Sequence, residues 1–176
     1  MVAEEPTATD WAYAAGFVDG EGCIAIVRSL SRTRGRYYYS VNVVVSNRDR
    51  PVLEWLRRLW SGQVVSTPGQ EGAQTAWNWR SPVGLGAKQF LEGIRPFLRV
   101  KTKQCDNALA MIPLLLRSRR TLGPYPIPAD WLAEQERHYW VQRELNHRGT
   151  ALFVARPMHS PRQISRERAL AANRGV

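Results

Sequence analysis

The stretch Trp11-Ala-Tyr-Ala-Ala-Gly-Phe-Val-Asp-Gly-Glu-Gly22 constrains this chain more than any other. It begins as a helix of small residues and ends in an acidic, glycine-rich turn. One helical face carries Ala12, Ala15, Gly16 and Asp19, spaced i, i+3, i+4 and i+7. Side chains this small let a second helix approach closely, while Trp11, Phe17 and Val18 on the other side suit a core. The helix is expected to stop near Gly20, with Glu21 just past its end. Two such helices packed face to face bring two copies of Glu21 together, an arrangement suited to metal-dependent chemistry on both strands of a duplex.

The rest of the chain alternates strands and helices. Cys23 to Leu30 reads as a strand, followed by the basic loop Ser31-Arg-Thr-Arg-Gly-Arg36. Tyr37 to Val45 is the clearest strand, with Tyr37, Tyr39, Val41, Val43 and Val45 on an apolar face. Its other face, Arg36, Tyr38, Ser40, Asn42 and Ser46, is polar apart from Val44. Asp49 and Pro51 open a helix to Trp60, with Val52, Trp55, Leu56 and Leu59 as its apolar stripe. Gln63–Thr67 and Gln74–Arg80 form a second strand pair, in which Asn78 and Arg80 share one face and Trp77 and Trp79 the other. Further helices are expected over Gly84–Ile94, over Thr102–Arg119 with a kink at Pro113, and over Ala129–Asn146. The first helix is expected to be capped by Thr9 or Asp10.

This order predicts an α+β fold: an αββαββα core over residues 9–120 with a four-stranded antiparallel sheet, then a C-terminal helical extension and basic tail over 121–176. The tail reads either as a DNA-touching arm or as a soluble end. The formal charge of +10, from 25 basic against 15 acidic residues, favours a polyanion, with nucleic acid ahead of a membrane surface. Cys23 and Cys105 match no zinc or redox spacing, which suits reduced thiols in the cytoplasm or an organellar matrix. No signal peptide and no membrane span is legible, and no phosphate-loop motif supports ATP use. His138, His147 and His159 are too scattered for a metal site, and the first two read as exposed helix positions.

Ala14-Ala-Gly-Phe-Val-Asp-Gly-Glu-Gly22 resembles the LAGLIDADG motif of homing endonucleases, and the order of elements extends the resemblance over roughly residues 9–118. Only one copy of the motif is present, which implies the homodimeric type, joined through Ala12, Ala15, Gly16 and Asp19. The resemblance implies site-specific hydrolysis of both strands of a long, pseudo-palindromic double-stranded DNA site, cut across the minor groove to leave short 3′ overhangs. It makes Glu21 the Mg²⁺ ligand, where the family usually has Asp, with the Gly20 carbonyl as a helper and Mn²⁺ as a substitute metal. Asp19 matches an acid that caps and joins the paired helices. Pro96-Phe-Leu-Arg-Val-Lys-Thr-Lys-Gln104 is similar to the segment carrying a catalytic-pocket lysine, matched by Lys101, with Lys103 as the alternate. Asn47 occupies the place of a solvent-positioning residue. A nearby position that is often basic is Pro51 here, with Arg48 or Arg50 available to replace it.

Family alignment also turns Ala25, Val27 and Ser29 toward DNA and Ile24 and Ile26 toward the core, a choice that alternation alone does not make. The expected DNA-contacting set is Arg28, Ser29, Arg32, Arg34, Arg36, Tyr38, Ser40, Asn42, Arg48, Asn78, Arg80 and Lys103, reading base edges or phosphates from a strand ribbon in the major groove. The alternative is a non-cleaving binder on the same scaffold, either a maturase that holds intron RNA or a transcription regulator.

Overall fold

The computed structural model describes residues 5–31, 36–67, 75–120 and 127–147. Ten elements follow in chain order: α1 (Ala8–Glu21), β1 (Gly22–Ser31), β2 (Arg36–Asn47), α2 (Arg50–Trp60), β3 (Gln63–Thr67), β4 (Ala76–Arg80), α3 (Leu85–Ile94), a 3-10 turn (Arg95–Phe97), α4 (Thr102–Arg120) and α5 (Ala129–Leu145). The α+β expectation holds.

α1 begins earlier than the sequence suggested. Thr7, rather than Thr9 or Asp10, is its cap. The Thr7 hydroxyl accepts the Asp10 N–H at 3.2 Å, and the Asp10 carboxylate accepts the Thr7 N–H at 2.8 Å. This reciprocal pair satisfies two donors that an open helix end leaves exposed. The Thr7 hydroxyl also donates to the Asp10 carboxylate at 2.6 Å, and this bond first, the Thr7 N–H second, holds the Asp10 carboxyl below its usual range.

The four strands form one antiparallel sheet in the order β1-β2-β4-β3. β1 and β2 pair along their length, from Gly22 opposite Val45 to Ser31 opposite Arg36. β4 joins the far end of β2, with Val44 opposite Arg80 and Ser46 opposite Asn78. β3 closes the sheet with Gln63 opposite Arg80 and Thr67 opposite Ala76. Strand alternation divides the two faces. Ile24, Ile26, Tyr39, Val41, Val43, Val45 and Trp79 are buried beneath the helices.

That covered face meets Ala14, Ala15 and Val18 of α1, Leu53 and Leu56 of α2, Phe90, Leu91 and Ile94 of α3, and Met111 and Ile112 of α4. Of the expected stripe Val52, Trp55, Leu56 and Leu59, Leu56 is buried and Val52 and Trp55 pack partly buried against the core, and Leu53 is buried beside them. At Gly93 even a Cβ would overlap the Trp11 ring, so this glycine sets how closely α3 lies against α1. Aromatic side chains fill the gap between α1, α2 and α3. Trp60 lies 5.0 Å from Trp11 and 5.5 Å from Phe90, ring centre to ring centre.

α5 lies across α4 and β1. Gln142 and Asn146 both donate to the Ile24 carbonyl, at 2.6 and 2.8 Å, so the extension's side chains satisfy a backbone acceptor of the edge strand. No helix among the described residues is long and apolar enough to cross a membrane.

Candidate nucleic-acid interface and helix-end site

Glu21 is the last residue of α1, one position inside the helix rather than just past it. The Gly22 N–H still donates to the Val18 carbonyl while its backbone is already extended. A Cβ on Gly22 would sit 2.7 Å from that carbonyl oxygen, so only glycine allows the chain to pass straight from helix to strand. The turn leaves the Glu21 carboxylate exposed, with no hydrogen bond or ion pair among the described residues.

The α3–α4 turn is tied to the same helix end. Asp19 accepts three backbone N–H groups of its own chain: Arg99 at 2.7 Å, Val100 at 3.1 Å and Lys101 at 2.9 Å. The ammonium of Lys101 reaches back and donates to the carbonyls of Val18, at 3.0 Å, and Asp19. Lys101 is only 6% exposed, and its charge faces the negative end of the α1 dipole. Lys101, Gly20 and Glu21 are therefore gathered at one helix terminus. Lys103, two residues on, is exposed in the first turn of α4.

The outer surface of α1 differs from the expected stripe. Ala15 is completely buried in its own chain's core, and Asp19 points to the α3–α4 turn. The exposed small residues include Ala12, Gly16 and Gly20, spaced i, i+4 and i+8, with open space at both glycines. Tyr13 stands beside them, 55% exposed, stacked on Phe17 and edge-on to Trp55. The sequence reading missed Tyr13, although its i, i+4 relation to Phe17 is visible in the motif.

No helix among the described residues lies over the second face of the sheet. It carries Ala25, Val27 and Ser29 from β1; Tyr38, Ser40, Asn42, Val44 and Ser46 from β2; Asn78 and Arg80 from β4; and Gln63, Val65 and Thr67 from β3. The expected orientation of β1 holds, with Ile24 and Ile26 buried and Val27 exposed. Asn78 is pinned in the middle: Ser46 donates to its Oδ1 and its own Nδ2 donates to Thr67, both at 2.5 Å. Arg80 is exposed, opposite Val44 on one side and Gln63 on the other. Gln63, Val65 and Thr67 belong to this face too, a consequence of pairing that their short strand did not advertise.

Arg28 is a correction. It shares parity with Ile24 and Ile26, so it faces the helices and not the open surface. There its guanidinium donates to Glu136 of α5 at 2.7 Å and lies over the rings of Tyr37, Tyr139 and Trp140. Arg36 pairs with Ser31 at the start of β2, while Arg32 and Arg34 lie outside the described residues. Arg48 is exposed beyond β2, and Arg50 is engaged with Glu54 and lies over Trp77. Asn47 ends β2, where its Oδ1 accepts the Asp49 N–H at 2.8 Å and its Nδ2 has no partner among the described residues.

His138 is a second correction. It is buried between α5 and α4 rather than exposed, with Nδ1 2.7 Å from Asn107 Oδ1. His147 is exposed, as expected. Among the described residues no three His, Cys, Asp or Glu side chains are disposed to hold a metal ion. A divalent cation at Glu21 would thus find one carboxylate and the Gly20 carbonyl from this chain. Its remaining ligands would have to come from a second copy, a phosphate or water. An exposed carboxylate with no competing partner among the described residues fits that role.

Comparison with protein-family models finds no match, and none of the curated proteins matches in sequence. Solved structures do match. The homing endonuclease I-CvuI, in complex with its target in the presence of calcium, is 18% identical, with 93% of this chain covering 96% of that one at a TM-score of 0.64. The archaeal intron-encoded homing endonuclease I-Vdi141I, complexed with DNA, is 15% identical, with 93% of this chain covering 98% of that one at a TM-score of 0.67. The LAGLIDADG homing endonuclease I-GzeII, in complex with a DNA target, is 14% identical, with 88% of this chain covering 56% of that one at a TM-score of 0.58. The chain described here has the fold of the LAGLIDADG homing endonucleases.

Proposed function

We propose that the chain is a site-specific DNA endonuclease that works as a homodimer on a long, pseudo-palindromic duplex and cuts both strands, leaving short 3′ overhangs. The observation that carries this reading is the meeting of Glu21, Gly20 and Lys101 at the end of α1, where the helix runs straight into a strand of an open, polar sheet face. Chemistry and recognition then share one continuous piece of backbone.

In this reading Ala12, Gly16 and Gly20 of two chains face each other and bring two Glu21 carboxylates to the dyad. Each Glu21, with the Gly20 carbonyl, would hold Mg²⁺, for which Mn²⁺ is a chemically similar substitute. The metal supplies positive charge to the scissile phosphate and a water that is easier to deprotonate. Lys101 adds a fixed positive charge at the same terminus. Asn47 offers an amide donor that can orient solvent. Ser29, Tyr38, Ser40, Asn42, Asn78 and Arg80 read the major groove, while Arg36, Arg48 and Lys103 flank it on the phosphates.

The test is a cleavage selection from a randomised pool of near-palindromic duplexes with Mg²⁺, run on the native protein and on Glu21→Gln. Recovery of one site that the native protein cuts supports the reading. The variant should bind that site and cut it more slowly by more than about 100-fold, the upper end of what losing a ligand's supporting partner costs. Specific retention of a duplex without cutting by either protein would replace the endonuclease with a non-cleaving DNA binder.

A further inference from the structure

We infer that Asp19 is a positioning residue that sets Lys101 against the end of α1, through a reciprocal clamp inside one chain. The inference rests on the endonuclease reading above and deepens it. The clamp has two arms. The Asp19 carboxylate, projecting from α1, gathers the N–H groups of Arg99, Val100 and Lys101. The Lys101 ammonium, projecting from the turn, takes the carbonyls of Val18 and Asp19. Each arm closes on the backbone that carries the other, so neither element can shift without breaking both.

The carboxylate is chemically suited to this task. Three N–H groups converge on the carboxylate, and its two anionic oxygens supply lone pairs for all three. They precede α4, so the negative charge also faces the positive end of that helix dipole. Asparagine at this position would offer one carbonyl oxygen and turn an NH₂ toward a backbone N–H. The turn would then relax, and Lys101 with it. Asp19 spends both oxygens within its own chain, so its main effect is on the placement of a charge and not on the joining of two chains.

The test compares Asp19→Asn, Lys101→Met and the double variant with the native full-length protein. Amide hydrogen exchange over residues 98–102 reads the clamp without any cleavage. Turnover at saturating DNA and metal-free DNA affinity read its consequence. Exchange should accelerate in Asp19→Asn. Turnover should fall by about 100-fold, as misplacement of a reacting group by an ångström costs. Metal-free affinity and dimer size should hold. In the Lys101→Met background Asp19→Asn should cost little more, because both changes remove one interaction. Asp19→Glu, which keeps the charge, should recover part of the turnover.

Unchanged exchange in Asp19→Asn overturns the clamp. Additive losses in the cycle, or parallel loss of affinity and turnover, overturn the positioning role and leave a merely structural one. A native protein that cuts nothing overturns the endonuclease reading, and the exchange measurement tells that failure apart from a failure of the clamp.

Discussion

Arg28 and Arg80 are both strand arginines of one sheet, and they sit in opposite surroundings. Arg28 lies under α5, its guanidinium bonded to Glu136 and bracketed by Tyr37, Tyr139 and Trp140. Arg80 lies on the face that no helix among the described residues covers. The difference comes from parity. Residues two apart on a strand share a face, so Arg28 follows Ile24 and Ile26 inward, while Arg80 stands beside the buried Trp79 and points out. The same side chain is therefore bonded to the extension in one place and exposed to solvent in the other.

The larger effect should come from the covered arginine. Arg28→Ala removes a cation bonded to Glu136, a carboxylate whose side chain is 8% exposed and which also receives the Trp140 indole N–H. Breaking such a pair strands a charge, and a loss of about 3 kcal/mol is expected. The loss would appear as a lower midpoint in urea. Changing Glu136→Gln in the same protein should recover part of it by discharging the orphan. If Arg28→Ala instead left stability intact and weakened DNA binding, the contrast between the two arginines would collapse.

Arg80→Ala should do the reverse. The side chain is exposed, so unfolding should change by no more than about 0.5 kcal/mol. DNA affinity is expected to fall by about 1–3 kcal/mol if the guanidinium reads a base, with the loss confined to sites carrying one particular base pair. A uniform loss across sequences, with a shallower salt dependence, would assign it to a phosphate instead. Binding isotherms on single-substitution variants of the selected site, at two salt concentrations, separate these outcomes.

The contrast also marks what could be read in the sequence. β2 was legible because Tyr39, Val41, Val43 and Val45 alternate with polar residues, and that alternation alone places Asn42 and Ser40 on the open face. The helices were legible from their stripes and from breakers such as Ser61-Gly62 and Pro96. Arg28 was readable in part: its parity with Ile24 was on the page, but Glu136 lies 108 residues away and nothing local announces it. The phase of α1 was not readable. Alanine and glycine lie around much of its circumference, so no contrast between faces distinguished buried Ala15 from exposed Ala12. The Asp19–Lys101 clamp spans 82 residues, and resemblance alone supplied Lys101 while giving Asp19 a different partner.

His138 extends the comparison to pH, with the smallest expected effect. The Asn107 Nδ2 donates to the His138 carbonyl and to Gln142 Oε1, which leaves Asn107 Oδ1 as an acceptor facing His138 Nδ1. The ring must donate there, so its Nε2 is an acceptor when neutral, and an Arg137 N–H approaches it at 3.5 Å. Burial first, and the Arg137 charge second, hold the imidazole below its ordinary value of 6.5. The unfolded chain therefore binds the proton more readily than the native one. This contribution to stability is fully present above the unfolded value and is lost as pH falls through the lower native one. Melting curves from about pH 7.5 down to about pH 5 should show the midpoint falling in that window, and His138→Gln should flatten the fall. A variant that tracks the native protein across the window would mean that the α4–α5 contact tolerates imidazolium. The covered side of the molecule would then be less sensitive to charge than Arg28 and Glu136 imply.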